Sequence, residues 1–291
     1  MGNQLAAPAR VQPGELLASD VPTLVYKDSL GGGRFLKTFL TRHEEGSSGG
    51  LVVVKVYLKR GNPATGGGLD AEDVREHERR LRLTREALLA TPPRHLHAWP
   101  FQRELETERA VYLMRQYAHS TLYDRVSMRP FLSDIEKRWV TYQLLHALAD
   151  CHERGVTHGD IKCENVLVTS WGWVFLTDFA TFKPASLPAD NPADYSFFFD
   201  AGGRRRCYVA PERFRDAAAE GVASVDERVT PAADVFSLGC ALGELFIDGS
   251  ALFDLSLTHT YPEWKLAQML TKRISSAERT LRRSIRSKII S

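Results

Sequence analysis

Four polar side chains lie in one short stretch of the chain at a spacing that suits phosphoryl transfer. Asp160, Lys162 and Asn165 fall within six residues, and Asp178 follows directly before a phenylalanine. A transferring phosphoryl group carries negative charge on its oxygens, so the protein must supply a cation, metal ligands and an acceptor for the hydroxyl proton. We predict Asp160 and Lys162 as the catalytic pair. Asn165 and Asp178 are the predicted ligands of Mg²⁺.

A lone Asp-x-Lys pair is usually a solvated salt bridge. Here the Asp/Lys/Asn trio is followed, 18 residues after Asp160, by Asp178 and Phe179. That combination favours the catalytic interpretation.

The elements that would position these side chains form two groups. β-rich runs and glycines from Leu24 to Tyr57 predict a small antiparallel sheet, followed by a charged helix from Asp70 to Leu89 and a strand at Val111–Met114. Beyond that strand the pattern is helical, and Ile135–His152 carries a predicted apolar face. The residues predicted on that face are Trp139, Leu144, Leu145 and Leu148. The predicted fold class is α+β, with a sheet-rich first lobe and a mainly helical second lobe.

Lys55 ends a hydrophobic run, where an unpaired ammonium group would be costly. We predict that it binds phosphate and pairs with Glu78 of the helix, with Glu76 as the second choice. The alternative is a lysine that reaches solvent from a strand edge.

A glycine-rich stretch precedes that strand and offers backbone N–H groups to a nucleotide. Leu30, Gly31 and Gly33 are predicted to contact the phosphates because they precede the strand of Lys55; alone, the stretch fits a plain hairpin turn better. Gln116 and Ala118, after the later strand, are predicted to contact the base through their backbone.

Composition sets limits on the partners and on the compartment. The chain has 38 basic and 36 acidic side chains among 291 residues, so net charge gives no argument for a nucleic-acid partner. Its four cysteines lie far apart, which is typical of a reducing compartment. No apolar run is long enough to span a bilayer, so we expect a soluble protein unless it is lipidated.

Farther along the chain, Ala210–Glu212 lies at the separation from Asp178 that is expected for the end of an activation segment. We predict that Glu212 forms a buried ion pair that anchors this segment. Asp234–Gly239 is predicted to start a buried helix.

These motifs together resemble those of the eukaryotic serine/threonine protein kinases. More closely, the stretches Met1–Ala6, Arg129–Leu132, Thr169–Trp171, Arg204–Tyr208 and Pro211–Phe214 resemble the myristoylated regulatory kinase of the class III phosphatidylinositol 3-kinase complex, in the vacuolar protein sorting family. The resemblance covers about residues 24–268.

The resemblance implies a serine/threonine protein kinase of low activity that uses ATP and Mg²⁺. Its implied partners are the catalytic subunit of the lipid kinase and a Beclin-type subunit. Its implied place is the cytoplasm, peripheral on endosomal, vacuolar and autophagic membranes. The expected organisation, with a C-lobe that ends before its last helices, is an arm at 1–22, an N-lobe at 23–118, a C-lobe at 119–268 and a basic segment at 269–291.

Three residues depart from the family pattern. Leu36 replaces the third loop glycine, Gly159 replaces the catalytic-loop arginine, and Ala180 replaces the glycine after Asp-Phe. Without an arginine at 159 we expect no phosphorylation switch, and the other two changes predict slow turnover. The alternative is a nucleotide-binding pseudokinase scaffold that transfers no phosphoryl group.

The two ends of the chain carry possible membrane signals. Gly2 follows the first methionine, as N-myristoylation requires, although Ala6 stands where Ser or Thr is preferred. The basic segment fits either a solvated helix face or a helix on an anionic membrane.

Overall fold

The computed structural model describes residues 13–32, 37–44, 50–59, 71–89, 97–180, 183–188, 192–200, 206–215, 228–250 and 252–253. The predicted α+β fold with two lobes is confirmed. The elements of the first lobe are α1 (Pro13–Asp20), β1 (Leu24–Gly32), β2 (Lys37–His43), β3 (Leu51–Leu58), α2 (Ala71–Leu89), β4 (Ala98–Trp99), β5 (Arg103–Glu106) and β6 (Ala110–Gln116).

The second lobe begins after the last strand of the first. Its elements are β7 (Ser120–Thr121), α3 (Leu122–Ser127), α4 (Asp134–Glu153), a 3-10 turn (Cys163–Asn165), β8 (Val166–Val168), β9 (Val174–Thr177), β10 (Leu187–Pro188), α5 (Pro192–Phe198), a second 3-10 turn (Pro211–Arg213), β11 (Phe214–Arg215) and α6 (Pro231–Phe246).

The sheet of the first lobe is antiparallel throughout, in the order β1-β2-β3-β6-β5. Successive side chains of a strand point to opposite faces. Val54 and Val56 of β3 enter one core, while Tyr57 packs on the other face in a cluster with Leu81 of α2. Lys55 therefore projects from the same face as Tyr57.

Helix α2 confirms the predicted helix to within one residue at its start. Leu81 and Leu88 are each 2% exposed. They lie seven residues apart, which is close to two helical turns, so both face the lobe's interior.

Local signals fix where the helices of the second lobe begin. Ser133 caps α4 and exchanges hydrogen bonds with Glu136 in a capping box. The side chain of Thr230 caps α6 by accepting a hydrogen bond from the backbone N–H of Ala233, and Pro231 occupies the first turn, where it has no N–H to lose.

The predicted apolar face of α4 is partly wrong. Trp139 and Leu145 are 41% and 53% exposed, whereas the predicted Leu144 and Leu148 are buried. The buried stripe consists of Val140, Leu144, Ala147, Leu148 and Cys151. Trp139 and Leu145 each lie one residue from this stripe, a rotation of about 100° around the helix. Trp139 instead stacks on Tyr142, with ring centroids 5.6 Å apart.

A small sheet in the order β4-β9-β8-β7 carries the chemistry-bearing loops. Strands β8 and β9 are antiparallel, with Val166 opposite Leu176. Asn165 immediately precedes β8 and Asp178 immediately follows β9, so the hairpin brings both residues to the same end.

Within the described part of the chain, no helix combines the length and the apolarity needed to cross a membrane. The four cysteines are buried free thiols.

Candidate active site

Asp160 lies in the loop between α4 and the first 3-10 turn, with its side chain 8% exposed. Three nitrogen atoms converge on its Oδ2: Lys183 Nζ at 2.6 Å, Asn165 Nδ2 at 2.8 Å and Lys162 Nζ at 3.3 Å. Burial alone would raise the pKa of Asp160, but Lys162 and Lys183 lower it to about 2. Asp160 is therefore ionised at neutral pH and can accept a hydrogen bond from a hydroxyl group.

The backbone of this loop is fixed by Asp234, in the first turn of α6, which is 1% exposed. One carboxylate oxygen accepts a hydrogen bond from His158 N at 2.7 Å, and the other accepts one from Gly159 N at 2.8 Å. His152 Nε2 lies 3.1 Å from the first of these oxygens. Because a carboxylate has several acceptor sites, one buried side chain holds two successive loop residues.

Asp178 is held by two cations of the first lobe. Lys55 Nζ lies 2.9 Å from its Oδ2, and Arg115 Nε donates to its Oδ1 at 3.1 Å. Burial would raise the pKa of Asp178, but the charges of Arg115 and Lys55 hold it well below its usual range. This contact is consistent with the prediction that Lys55 points into the site.

The predicted pair between Lys55 and the helix is wrong. Among the ion pairs of the described residues, Lys55 contacts Asp178 and neither of the two glutamates that we proposed. Glu76 pairs with Arg79 and Arg80, each at 2.7 Å. Glu78 has one buried oxygen without a hydrogen-bond partner in the described structure, and burial raises its pKa. Helical spacing placed Glu78 near the sheet, but spacing alone does not determine how far a helix lies from Lys55.

The protein kinase domain family model matches residues 25–289. The chain belongs to this family. It is 48% identical to serine/threonine-protein kinase VPS15 of Arabidopsis thaliana over 264 residues, which are 90% of this chain and 17% of that protein. It is 40% identical to the Saccharomyces cerevisiae VPS15 over 265 residues, 90% of this chain and 17% of that protein.

More distant kinases match as well. CBL-interacting protein kinase 21 of Oryza sativa is 26% identical over 227 residues, which cover 78% of this chain and 38% of that protein. The chain spans less than a fifth of the length of the VPS15 relatives described above.

Gly159, which stands where the usual kinase catalytic loop has arginine, adopts a backbone conformation that suits glycine. Its φ is +78°, and a Cβ atom there would lie 3.3 Å from Ala180 Cβ and 3.4 Å from Val229 Cγ2. Side chains other than glycine rarely adopt this backbone conformation. Ala180, the second departure from the kinase pattern, thus occupies part of the space that a side chain at 159 would enter.

Arg213 connects this loop to the segment that follows Asp178 and was missed by the sequence analysis. The arginine is 5% exposed. Its Nη1 donates to Gly159 O, its Nη2 to Pro184 O and its Nε to Ala185 O, at 2.8, 2.8 and 2.7 Å. The prediction that Glu212 is buried in an ion pair is wrong, because that neighbouring side chain is exposed. The basic residue, rather than the acidic one, anchors this part of the kinase.

The chemistry of the proposed ligands fits Mg²⁺, which prefers oxygen donors. Asn165 Nδ2 donates to both the backbone oxygen and Oδ2 of Asp160 at 2.8 Å, which leaves its amide oxygen as the atom that would bind a metal. Asp178 supplies carboxylate oxygens, both of which contact protein cations. A metal at Asp178 would therefore share these oxygens with Arg115 and Lys55 or displace one of them.

The predicted phosphate loop and base contacts are described only in part. Gly31, the residue before the end of β1, has φ +150°, and Leu30 beside it is 44% exposed. Gln116 N donates to Gln102 Oε1 at 3.0 Å, and Ala118 is half-buried after the end of β6. The geometry of these residues leaves the predicted nucleotide contacts untested. Gly2, Gly33 and Leu36 lie outside the described residues.

Arg115 and Lys183 were also missed, although the sequence held a signal for each of them. Arg115 ends the apolar run of β6, and its side chain is only 8% exposed. Lys183 follows Asp178 by five residues and has a side chain that is 13% exposed. A charged side chain that borders apolar sequence needs a partner when it is buried.

Proposed function

We propose that this chain is a serine/threonine protein kinase domain of low activity that transfers the γ-phosphoryl group of ATP. The observation that supports it best is the cluster of Asp160, Lys162 and Asn165, at the same end of the β8–β9 hairpin as Asp178. It combines an ionised proton acceptor, a cation and oxygen ligands, which are the groups that phosphoryl transfer needs.

Asp160 accepts the proton of the substrate hydroxyl while that oxygen bonds to the γ-phosphorus. The bond from this phosphorus to the bridging oxygen breaks, and ADP leaves. Lys162 lies 3.3 Å from Asp160 and can neutralise the transferring group. Bound Mg²⁺, which Asn165 and Asp178 would hold, supplies further charge neutralisation at the phosphate oxygens.

Replacing Asp160 with asparagine tests the proposal. We expect phosphoryl transfer from labelled ATP to a protein substrate to fall about 100-fold or more, because an amide cannot accept the proton. Asp150→Asn, on α4, is the control and should retain the activity. Equal transfer by the wild-type and Asp160→Asn proteins would favour the scaffold alternative, to which the contact between Lys183 and Asp160 also points.

The partners form a second part of the proposal. The resemblance in sequence and the VPS15 relatives support a role in the class III phosphatidylinositol 3-kinase complex, beside its catalytic subunit and a Beclin-type subunit. We place this complex on endosomal, vacuolar and autophagic membranes, where it serves sorting and autophagy.

Myristoylation of Gly2 is the proposed membrane anchor. Coexpression with an N-myristoyltransferase should add one myristoyl group to the new amino terminus, which mass spectrometry of the intact protein would detect. Gly2→Ala is the control and should stay unmodified. An unmodified wild-type terminus would remove the anchor from the proposal. One acyl chain binds membranes only marginally, so stable residence would also need the complex.

A further inference from the structure

The register of the sheet places Arg115 at the site. It lies opposite Val53 on the neighbouring strand, and Lys55 lies opposite Leu113. Since alternate residues of paired strands share one face, the two cations project from the same face. They meet at the two oxygens of Asp178, at 3.1 Å for Arg115 and 2.9 Å for Lys55.

Arg115 is also fixed in this position. Its side chain is 8% exposed, and its Nη1 donates to the backbone oxygen of Gln116 at 3.3 Å. A buried guanidinium group needs acceptors for its N–H groups, and Asp178 and the backbone of Gln116 supply them here. In a kinase of the usual kind, the corresponding carboxylate holds a metal ion. Here Arg115 already supplies positive charge to the carboxylate of Asp178.

The basic side chains around Asp160 and Asp178 also indicate that protein cations supply the positive charge of this site. Four cations contact the two central carboxylates, Asp160 and Asp178, in the described structure: Lys55, Arg115, Lys162 and Lys183. Basic side chains thus outnumber these two carboxylates, which favours contact with phosphate oxygens without a divalent ion.

We propose that Arg115 competes with Mg²⁺ for Asp178, so that the cleft binds a nucleoside triphosphate without a divalent cation. The inference rests on the proposed nucleotide site but concerns binding, not transfer. It predicts a nucleotide complex that forms readily without metal and a transfer step that is slow because the metal must displace Arg115.

The test measures the melting temperature of the whole chain against ATP concentration, once with Mg²⁺ and once with excess EDTA. Binding only to the folded state raises the melting temperature. We expect the apparent ATP affinity of the wild-type protein to change less than about threefold on metal removal. For Arg115→Met it should fall about tenfold or more, within the usual range of coupling between two ligands. Arg103→Met, on the neighbouring strand β5, is the control and should behave as the wild type.

The wild-type comparison decides the question even if Arg115→Met does not fold. ATP stabilisation that requires Mg²⁺ in the wild type would overturn the competition between Arg115 and the metal while keeping the nucleotide site. No stabilisation by ATP in either buffer would overturn both this proposal and the nucleotide site. Loss of phosphoryl transfer alone, with metal-independent stabilisation retained, would count against the proposed kinase activity only.

Discussion

Asp234→Ala is expected to lower the free energy of unfolding by about 3–5 kcal/mol, because it leaves two buried N–H groups without an acceptor, at about 1–3 kcal/mol each, and enlarges a packed site. The affected groups are the backbone nitrogens of His158 and Gly159, which now donate at 2.7 and 2.8 Å. Urea unfolding at neutral pH measures the loss. Phosphoryl transfer should fall with it, because these residues precede Asp160 directly.

Two further variants make this result specific to the loop. Asp234→Asn keeps one acceptor oxygen but turns an NH₂ group toward the other donor, so its loss of stability should be smaller than that of alanine. Glu153→Ala removes an exposed carboxylate from α4 and should change stability by less than about 0.5 kcal/mol. A loss below about 1 kcal/mol for Asp234→Ala would show that the loop is held by other contacts.

Lys183→Met is expected to raise the rate of phosphoryl transfer about tenfold. The ammonium group of Lys183 lies 2.6 Å from Asp160 Oδ2, where a substrate hydroxyl must bind to give up its proton. Displacing a charge-assisted hydrogen bond of about 1.5 kcal/mol corresponds to about that factor. Methionine keeps a side chain over the ring of Phe199, where Lys183 Nζ now lies 4.8 Å from the centroid. Transfer of labelled phosphate under saturating ATP measures the change.

The pH dependence of the same reaction separates this effect from a general change in the cleft. Burial lowers the pKa of Lys183 to about 7 even though Asp160 raises it, and the nearby charges of Lys162 and Lys55 lower it further. Below about pH 7 the ammonium form occupies Asp160, and above it the neutral amine binds the carboxylate less strongly. Wild-type transfer should therefore rise between pH 6 and pH 8.

In Lys183→Met this rise should be absent, since the titrating group is gone. Lys27→Met, at an exposed position of β1, is the control and should keep the wild-type profile. Slower transfer by Lys183→Met, or an unchanged pH profile, would show that Lys183 assists the reaction instead of blocking it.

Short-range information explains why part of the site could be predicted from the sequence. Asp160, Lys162 and Asn165 belong to one loop and one turn, so their spacing largely fixes their mutual geometry. The strands and α2 were predicted for the same reason, because alternation and helical periodicity act over a few residues.

The contacts that the sequence analysis missed join distant parts of the chain. Arg115 reaches Asp178 only through the pairing of β3 with β6, and Arg213 reaches Gly159 across 54 residues. Glu78 shows the converse error: a suitable residue on a correctly predicted helix does not contact the predicted partner. The buried face of α4 also depends on how the helix is rotated. Periodicity alone allowed Trp139 on that face, but packing placed Val140 there.

Among the described residues, the hydrogen bonds of the Arg213 guanidinium group go to backbone carbonyl oxygens of the loop and of the following segment. A carbonyl oxygen has no proton to gain or lose at physiological pH, and no phosphatase can remove it. The hydrogen bonds of Arg213 therefore form whenever the chain is folded, and they do not depend on phosphorylation of the segment. A partner that acts on the loop through this link does so by moving the peptide units of Pro184 and Ala185 away from the arginine.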